Sequence, residues 1–295
     1  MLIQTAQAAL EVELRGSSEH PAVILIAGLG FQLIDWPDDF CDSLVGAGYQ
    51  VIRFDNRDIG LSQKFDAAGL PDLGTVMADK MAGHIPDTPY SLSHMAQDVT
   101  GLLGALGIEK VHIVGMSMGG MIAQLVAAHA PGCTASLTSI MSSSSDPALP
   151  GPTAPAMQVL SSAPQSQERA DIVAFGLEVN DVIGSPSFRW PRVALTRHIE
   201  ACVERSYSPA GYVRQYAAVM AAPSRRELLA QITAPTLVVH GDADPLVPAS
   251  CGKDVADHVP DARFVQVSGM GHDLSPALCQ HLVRIIIPHL DRAEA

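Results

Sequence analysis

The chain has 295 residues, 47% of them hydrophobic and 17% charged, which is enough to bury a large core and too apolar for a disordered or fibrous protein. A net charge of −13, from 18 Lys and Arg against 31 Asp and Glu, argues against nucleic acid and anionic membrane surfaces as partners, since both need a basic footprint. No apolar run approaches the roughly 18–20 residues of a membrane span.

The first residues read as two short strands, Leu2 to Ala6 and Ala9 to Leu14, alternating apolar and polar as an edge hairpin does. This opening has no basic region ahead of an apolar core, so no secretory leader is expected. Ala22 to Ala27 is a continuous apolar run, the pattern of a strand covered on both faces, and Gly28 and Gly30 follow at once. A helix is expected over Asp38 to Ala47, then a strand over Gln50 to Phe54. The charged run Asp55-Asn56-Arg57-Asp58 after it reads as a structural turn tied by an Arg–carboxylate pair.

Ser91 to Leu106 reads as a helix, Val111 to Val114 as a buried strand, and Met118 to His129 as a helix rich in Ala, Met and Leu. His112 and His129, within that strand and helix, are expected to be packed structural residues. Further strands are expected at Leu137 to Met141, Thr236 to His240 and Arg263 to Val267. Strands alternating with helices imply βαβ units, hence a mostly parallel sheet with helices on both faces. Between Ser142 and Ala234 the rhythm breaks. No strand is evident there, and helices are expected at Ala156 to Ser162, Glu168 to Asn180, Ala194 to Glu204 and Ala210 to Ala221. The chain therefore divides into a core of residues 1–141 and 235–295 and a helical cap of residues 142–234, inserted between the sixth and seventh strands. The Ser- and Pro-rich entry to the cap, Ser142 to Pro155, is short enough to be an ordered loop.

Five cysteines, Cys41, Cys133, Cys202, Cys251 and Cys279, are odd in number and scattered. A disulfide framework or structural zinc is not expected from them. Free thiols point to a reducing compartment, and a cytoplasmic location is the expectation.

The chemistry concentrates at strand ends. Gly115-Met116-Ser117-Met118-Gly119-Gly120 is a G-x-S-x-G pattern between a strand and a helix. A nucleophile on so tight a turn needs small neighbours two residues to either side, and the following helix turns its N-terminus toward a developing oxyanion. A serine nucleophile also needs a base and an orienting acid. His272 stands in a glycine-rich turn after the last strand, in Ser268-Gly269-Met270-Gly271-His272. The acid follows the preceding strand, where both Asp242 and Asp244 qualify, and Asp146 is a third candidate. The turn Ala27-Gly28-Leu29-Gly30 after the first apolar strand is poor in side chains. By position, the backbone N–H groups of Leu29 and Met118 would form a two-donor oxyanion hole.

Taken in order, AGLG, FDNRDIGLS, VGMSMGG, HGDADPLVP and GMGH resemble the α/β-hydrolase superfamily over nearly the whole chain. Within it, Gly28-Leu29-Gly30, Trp36-Pro-Asp-Asp-Phe40, Arg53 to Gly60 and GMSMGG resemble the anthracycline methylesterases of the aclacinomycin type, serine esterases with a helical lid. That resemblance implies Asp244 as the acid, because it occupies the acid position of G-x-x-D-x-x-V-P. Many members carry His-Gly where this chain has Ala27-Gly28, a difference that leaves a backbone donor intact.

The expected activity is hydrolysis of a carboxylic ester through an acyl-enzyme, as in a carboxylesterase or methylesterase. No cofactor or metal is expected, and the expected partner is a small-molecule ester. Serine at the elbow disfavours dehalogenase and epoxide hydrolase chemistry. The alternatives are a cofactor-free perhydrolase (haloperoxidase), a lactone or C–C bond hydrolase, or a ligand receptor on the same fold. Phe188, Trp190, Tyr212 and Tyr216 of the cap are the candidate substrate-binding residues.

Overall fold

The computed structural model describes residues 1–295. The elements are, in chain order, β1 (Leu2–Gln4), β2 (Ala9–Arg15), β3 (Ala22–Ile26), α1 (Asp38–Gly46), β4 (Gln50–Phe54), α2 (Leu73–Met81), α3 (Leu92–Leu106), β5 (Val111–Met116), α4 (Met118–His129) and β6 (Thr134–Ile140). They continue with α5 (Ala154–Leu160), α6 (Arg169–Ile183), α7 (Arg192–Arg205), α8 (Pro209–Ala221), α9 (Arg226–Leu229), β7 (Thr236–Gly241), α10 (Ala249–His258), β8 (Arg263–Val267) and α11 (Pro276–Glu294).

The eight strands form one sheet in the order β1-β2-β4-β3-β5-β6-β7-β8. The hairpin β1–β2 and the pair β2–β4 are antiparallel, and every later pair is parallel. β3 shows why the centre is covered on both faces. Val23 and Leu25 pack with Trp36, Phe40 and Leu282 on one side, while Ile24 and Ile26 pack with Val99, Ile122 and Val126 on the other. This period of two, apolar on both faces, is the mark of a strand with helices above and below.

Several boundaries differ from the sequence expectation. β1 stops at Gln4 and β3 at Ile26. β6 begins at Thr134 rather than Leu137, because Thr134 and Ser136 are buried polar residues that extend the pairing with β5. β5 runs on to Met116, so the elbow starts at Ser117 itself. Four helices had no counterpart in the sequence reading, α2, α9, α10 and α11. The last is amphipathic, with Leu278, Leu282, Ile286 and Leu290 buried at four-residue intervals. Its cap is Ser275, whose Oγ accepts from the Leu278 N–H at 3.2 Å. His112 is buried against Ser136, whereas His129 is exposed at the end of α4.

The helical insert lies between β6 and β7, as expected. Its serine-rich entry is ordered by side-chain bonds. Ser144 Oγ donates to Asp254 at 2.5 Å, and the buried Arg225 guanidinium donates to Ser143 O at 2.6 Å and to Gln124 at 3.0 Å. The run Asp55 to Asp58 is a turn tied by Arg–carboxylate pairs, as its sequence suggests, and none of these pairs is made within the run. Neighbours in a tight turn diverge, and each charge finds a partner on a different element. Arg57 forks onto Asp98 of α3 at 2.6 and 2.7 Å. Asp58 is forked by Arg214 of α8, and Asp55 takes Arg205 of α7 at 2.7 Å together with the Leu33 and Leu61 N–H groups. The turn is thus a junction between the sheet and the insert. No helix is long and apolar enough to cross a membrane.

Candidate active site

Ser117 sits at the carboxyl end of β5 with φ +53° and ψ −121°. A non-glycine residue held there stores roughly 1–3 kcal/mol of backbone strain. The turn is fixed by the Ser117 N–H donating to Ile140 O at 2.9 Å and by Ser142 Oγ donating to Ser117 O at 2.8 Å. The flanking glycines are a steric requirement. A Cβ on Gly115 would stand 2.2 Å from Gly119 O, and one on Gly119 would stand 2.1 Å from Ile26 O. The collision is therefore with backbone, including that of β3, rather than between neighbouring side chains.

His272 reaches Ser117 from the loop after β8. Its Nδ1 lies 2.7 Å from Asp244 Oδ2 and its Nε2 lies 2.9 Å from Ser117 Oγ. A carboxylate only accepts, so the ring proton belongs on Nδ1 and the Nε2 lone pair faces the serine hydroxyl. The other oxygen of Asp244 accepts from the Leu246 and Val247 N–H groups at 2.9 and 2.8 Å. Burial disfavours the Asp244 charge, but the His272 imidazole and hydrogen bonds from His240 and His272 outweigh it, and the carboxyl is held far below the usual carboxylate range. Asp242 is engaged differently. Its Oδ1 accepts from the Gly269 N–H at 2.7 Å, which braces the His272 loop. Asp146 is bound elsewhere, with Arg226 and Ser224. The structure thus brings Ser117, His272 and Asp244 into one hydrogen-bonded chain and leaves Asp242 and Asp146 out of it.

The turn Gly28-Leu29-Gly30 lies against the serine. A Cβ on Gly28 would come within 3.3 Å of Ser117 Cβ. The Leu29 N–H has no acceptor in the protein, and the Met118 N–H, in the first turn of α4, has none either. The turn is held from both sides. Asn56 Nδ2 donates to Ala27 O at 3.0 Å, and the Gly30 N–H donates to Gln215 Oε1 of α8 at 2.9 Å. Gln215, fully buried, also donates to Arg57 O at 2.8 Å.

The four aromatic candidates separate. The Tyr212 ring presses on Gly30, at 2.8 Å from where a Cβ would be, and Tyr216 lies beside it with ring centroids 6.2 Å apart. Phe188 packs on the α11 side of the sheet with its ring 5.5 Å from His281, and Trp190 stacks on His198 of α7 at 5.4 Å. These two rings are engaged with histidines rather than with Gly30.

Sequence reasoning missed the residues that position the site from the insert. The His272 N–H donates to Ile183 O at 2.7 Å, and Ser185 Oγ donates to Asp273 at 2.5 Å while accepting from the Gly271 N–H at 2.9 Å. Neither Ser185 nor Gln215 belongs to a local motif, and each meets its partner across 86 residues or more. A sign existed only for His240, the strand residue four before Asp244, 3.5 Å from its Oδ2.

Comparison with known proteins places the chain. A model of the Hydrolase_4 family, described as serine aminopeptidase, S33, matches residues 17–275. The chain is 27% identical over 299 residues to rhodomycin D methylesterase DauP of Streptomyces sp. strain C5, covering 93% of this chain and 92% of that protein. It is 25% identical over 260 residues to 3-oxoadipate enol-lactonase 1 of Acinetobacter baylyi, covering 86% and 83%. Among solved structures, the enol-lactonase of Burkholderia xenovorans LB400 superposes with a TM-score of 0.75 at 18% identity over 99% of this chain and 100% of that one, a likeness of fold.

Proposed function

The chain belongs to the Hydrolase_4 family of α/β-hydrolases, and from that premise we propose that it is a serine hydrolase cleaving a carboxylic ester through an acyl-enzyme. One observation carries the reading: Asp244, His272 and Ser117 form an unbroken chain at 2.7 and 2.9 Å, with two acceptor-free N–H groups beside the serine. In this reading Ser117 Oγ attacks the ester carbonyl and His272 Nε2 takes its proton. His272 then gives that proton to the departing alcohol, and in the second half activates water against the acyl-enzyme. Asp244 holds the Nδ1 tautomer and balances the imidazolium. The Leu29 and Met118 N–H groups receive the tetrahedral oxyanion, each contributing roughly 3–4 kcal/mol by comparison with other hydrolases.

The methylesterase relative supports a methyl or other simple alkyl ester as the scissile group. The enol-lactonase relative supports a lactone as the second reading, since a lactone is an internal ester and asks nothing further of these residues. Residues 142–234 act in this proposal as a cap over the serine, leaving residues 1–141 and 235–295 to supply the chemistry. Tyr212 and Tyr216 are its substrate-facing residues.

A phosphonate ester tests the proposal. One equivalent should attach per chain, on the peptide holding Ser117, and Ser117→Ala should abolish both labelling and p-nitrophenyl ester turnover. Labelling at another serine, or turnover that survives the substitution, overturns it. Peracid formation from acetate and peroxide outpacing ester hydrolysis would move the assignment to a perhydrolase.

A further inference from the structure

Outside the serine site, three donor side chains converge where the insert meets the core. Asp35 closes the short 3-10 turn Leu33–Asp35, a few residues beyond Gly30. His198 and Cys202 stand one turn apart on the same face of α7. His198 Nε2 lies 2.8 Å from Asp35 Oδ1, and Cys202 Sγ lies 3.7 Å from both that oxygen and that nitrogen. We propose that Asp35, His198 and Cys202 bind a zinc ion that clips α7 of the insert to the core beside the Gly28–Gly30 turn.

The spacing fits the ion. Zinc bonds of about 2.3 Å to sulfur and about 2.0–2.1 Å to nitrogen and oxygen, at tetrahedral angles, require ligand separations of about 3.5 Å for the sulfur pairs and about 3.4 Å for nitrogen to oxygen. Both sulfur distances already stand near that value, and the His198–Asp35 hydrogen bond would open by about 0.6 Å to admit the metal.

The ligand set fits as well. A thiolate, an imidazole and a carboxylate are the donors zinc prefers, and with the thiol proton released to solvent the one thiolate and one carboxylate neutralise the ion. Two of the ligands are held in place by their neighbours. Asp35 Oδ2 accepts from the Gln32 N–H at 2.7 Å, which fixes the carboxylate, and the Trp190 ring stacked on His198 fixes the imidazole.

Arg205 stands one turn beyond Cys202 on α7. Its charge is compensated by Asp55 at 2.7 Å, and Gln32 Oε1 also accepts from it at 2.7 Å. A surface cleft of about 430 Å³ opens beside His198, lined also by Asp39, by Ala201 and by Arg53, whose charge is balanced by Asp38 at 2.7 Å and Glu13 at 2.9 Å, and it gives solvent access to the His198 side of the cluster.

Cobalt(II) reports on the site without reference to catalysis. The full chain, stripped with a chelator and titrated with cobalt, should take up one ion with intense visible bands of a tetrahedral site and a near-ultraviolet thiolate-to-cobalt band. Added zinc should displace it. Cys202→Ser should remove the thiolate band, and His198→Ala should weaken binding at least ten- to hundredfold. Cys133→Ser, at the other partly exposed cysteine outside the cluster, should change neither. Cooperative unfolding of each variant establishes that it is folded, and Cys202→Ala serves if Cys202→Ser is not. A folded chain that shows no thiolate band, a band that survives loss of Cys202, or one lost instead with Cys133 overturns the proposal.

Discussion

Arg214 of α8 forks onto Asp58 at 2.7 and 2.8 Å, and the two side chains are 1% and 0% exposed. The pair joins the insert to the turn after β4, and Tyr90 OH also donates to Asp58 at 2.7 Å. Removing one partner of such a pair strands a buried charge, at a cost of about 3–5 kcal/mol, whereas removing both can be nearly neutral. Arg214→Met should therefore lose about that much stability in urea unfolding, and the double variant with Asp58→Asn should recover a large part of it. Equal losses in single and double variants would show that the arginine matters by its packing.

Asp244 and Asp242 give a second contrast. Asp244→Asn leaves His272 Nδ1 facing an amide and should lower kcat by about 10⁴, the loss seen for the equivalent change in another serine hydrolase. Asp242→Asn keeps an oxygen that can accept from Gly269, so kcat should fall less than about tenfold. The reverse ranking would exchange their roles.

The depressed Asp244 carboxyl carries a prediction for stability against pH. Its folded value lies below its unfolded value of about 3.9, so its contribution is complete above that value and is lost as pH falls through the folded one. The stability difference between the wild type and Asp244→Asn should be constant above about pH 5 and shrink below about pH 4. Chemical unfolding across that range reads the difference directly. A gap that widens toward acid would contradict the ionised assignment.

Tyr212 lies on Gly30, so truncating it should act on the ester rather than on the fold alone. Tyr212→Ala should shift kcat/KM between short and bulky esters by about 1–3 kcal/mol, with phosphonate labelling of Ser117 nearly unchanged. Phe188→Ala and Trp190→Ala should leave the ester-size profile flat, since their rings pack against His281 and His198.

The parts of this molecule legible in its sequence are those encoded over short distances. The buried runs of β3 and β7, the elbow around Ser117 and the strand-end turns carrying Asp244 and His272 are local patterns, and each lies where its pattern puts it. Two acidic residues two apart, Asp242 and Asp244, cannot be told apart by spacing. The tertiary bonds to Gly269 and His272 separate them. The start of β6 was hidden because Thr134 and Ser136 look polar, yet they are buried in the middle of the sheet. The attachments of the insert were out of reach for another reason. Arg214 and Asp58 are 156 residues apart, and no periodicity links them. His198 and Cys202 stand four residues apart, a spacing that passes unnoticed as a ligand pattern because it needs Asp35 from the core to become a cluster.

Gln215 makes the insert and the core one inheritance. Exchanging residues 142–234 for a segment with no glutamine and arginine at the positions of Gln215 and Arg214 would leave Gly30 without its acceptor and Asp58 without its cation. The crossover points near Met141 and Pro235 look natural because strands end and begin there, yet the interdependence runs beneath them. A recombinant that lacks a glutamine and an arginine at the positions of Gln215 and Arg214 would acquire a new pocket over a loosened Leu29 turn. Under the proposed function, substrate range would therefore drift by single substitutions within residues 142–234 more readily than by wholesale exchange of them.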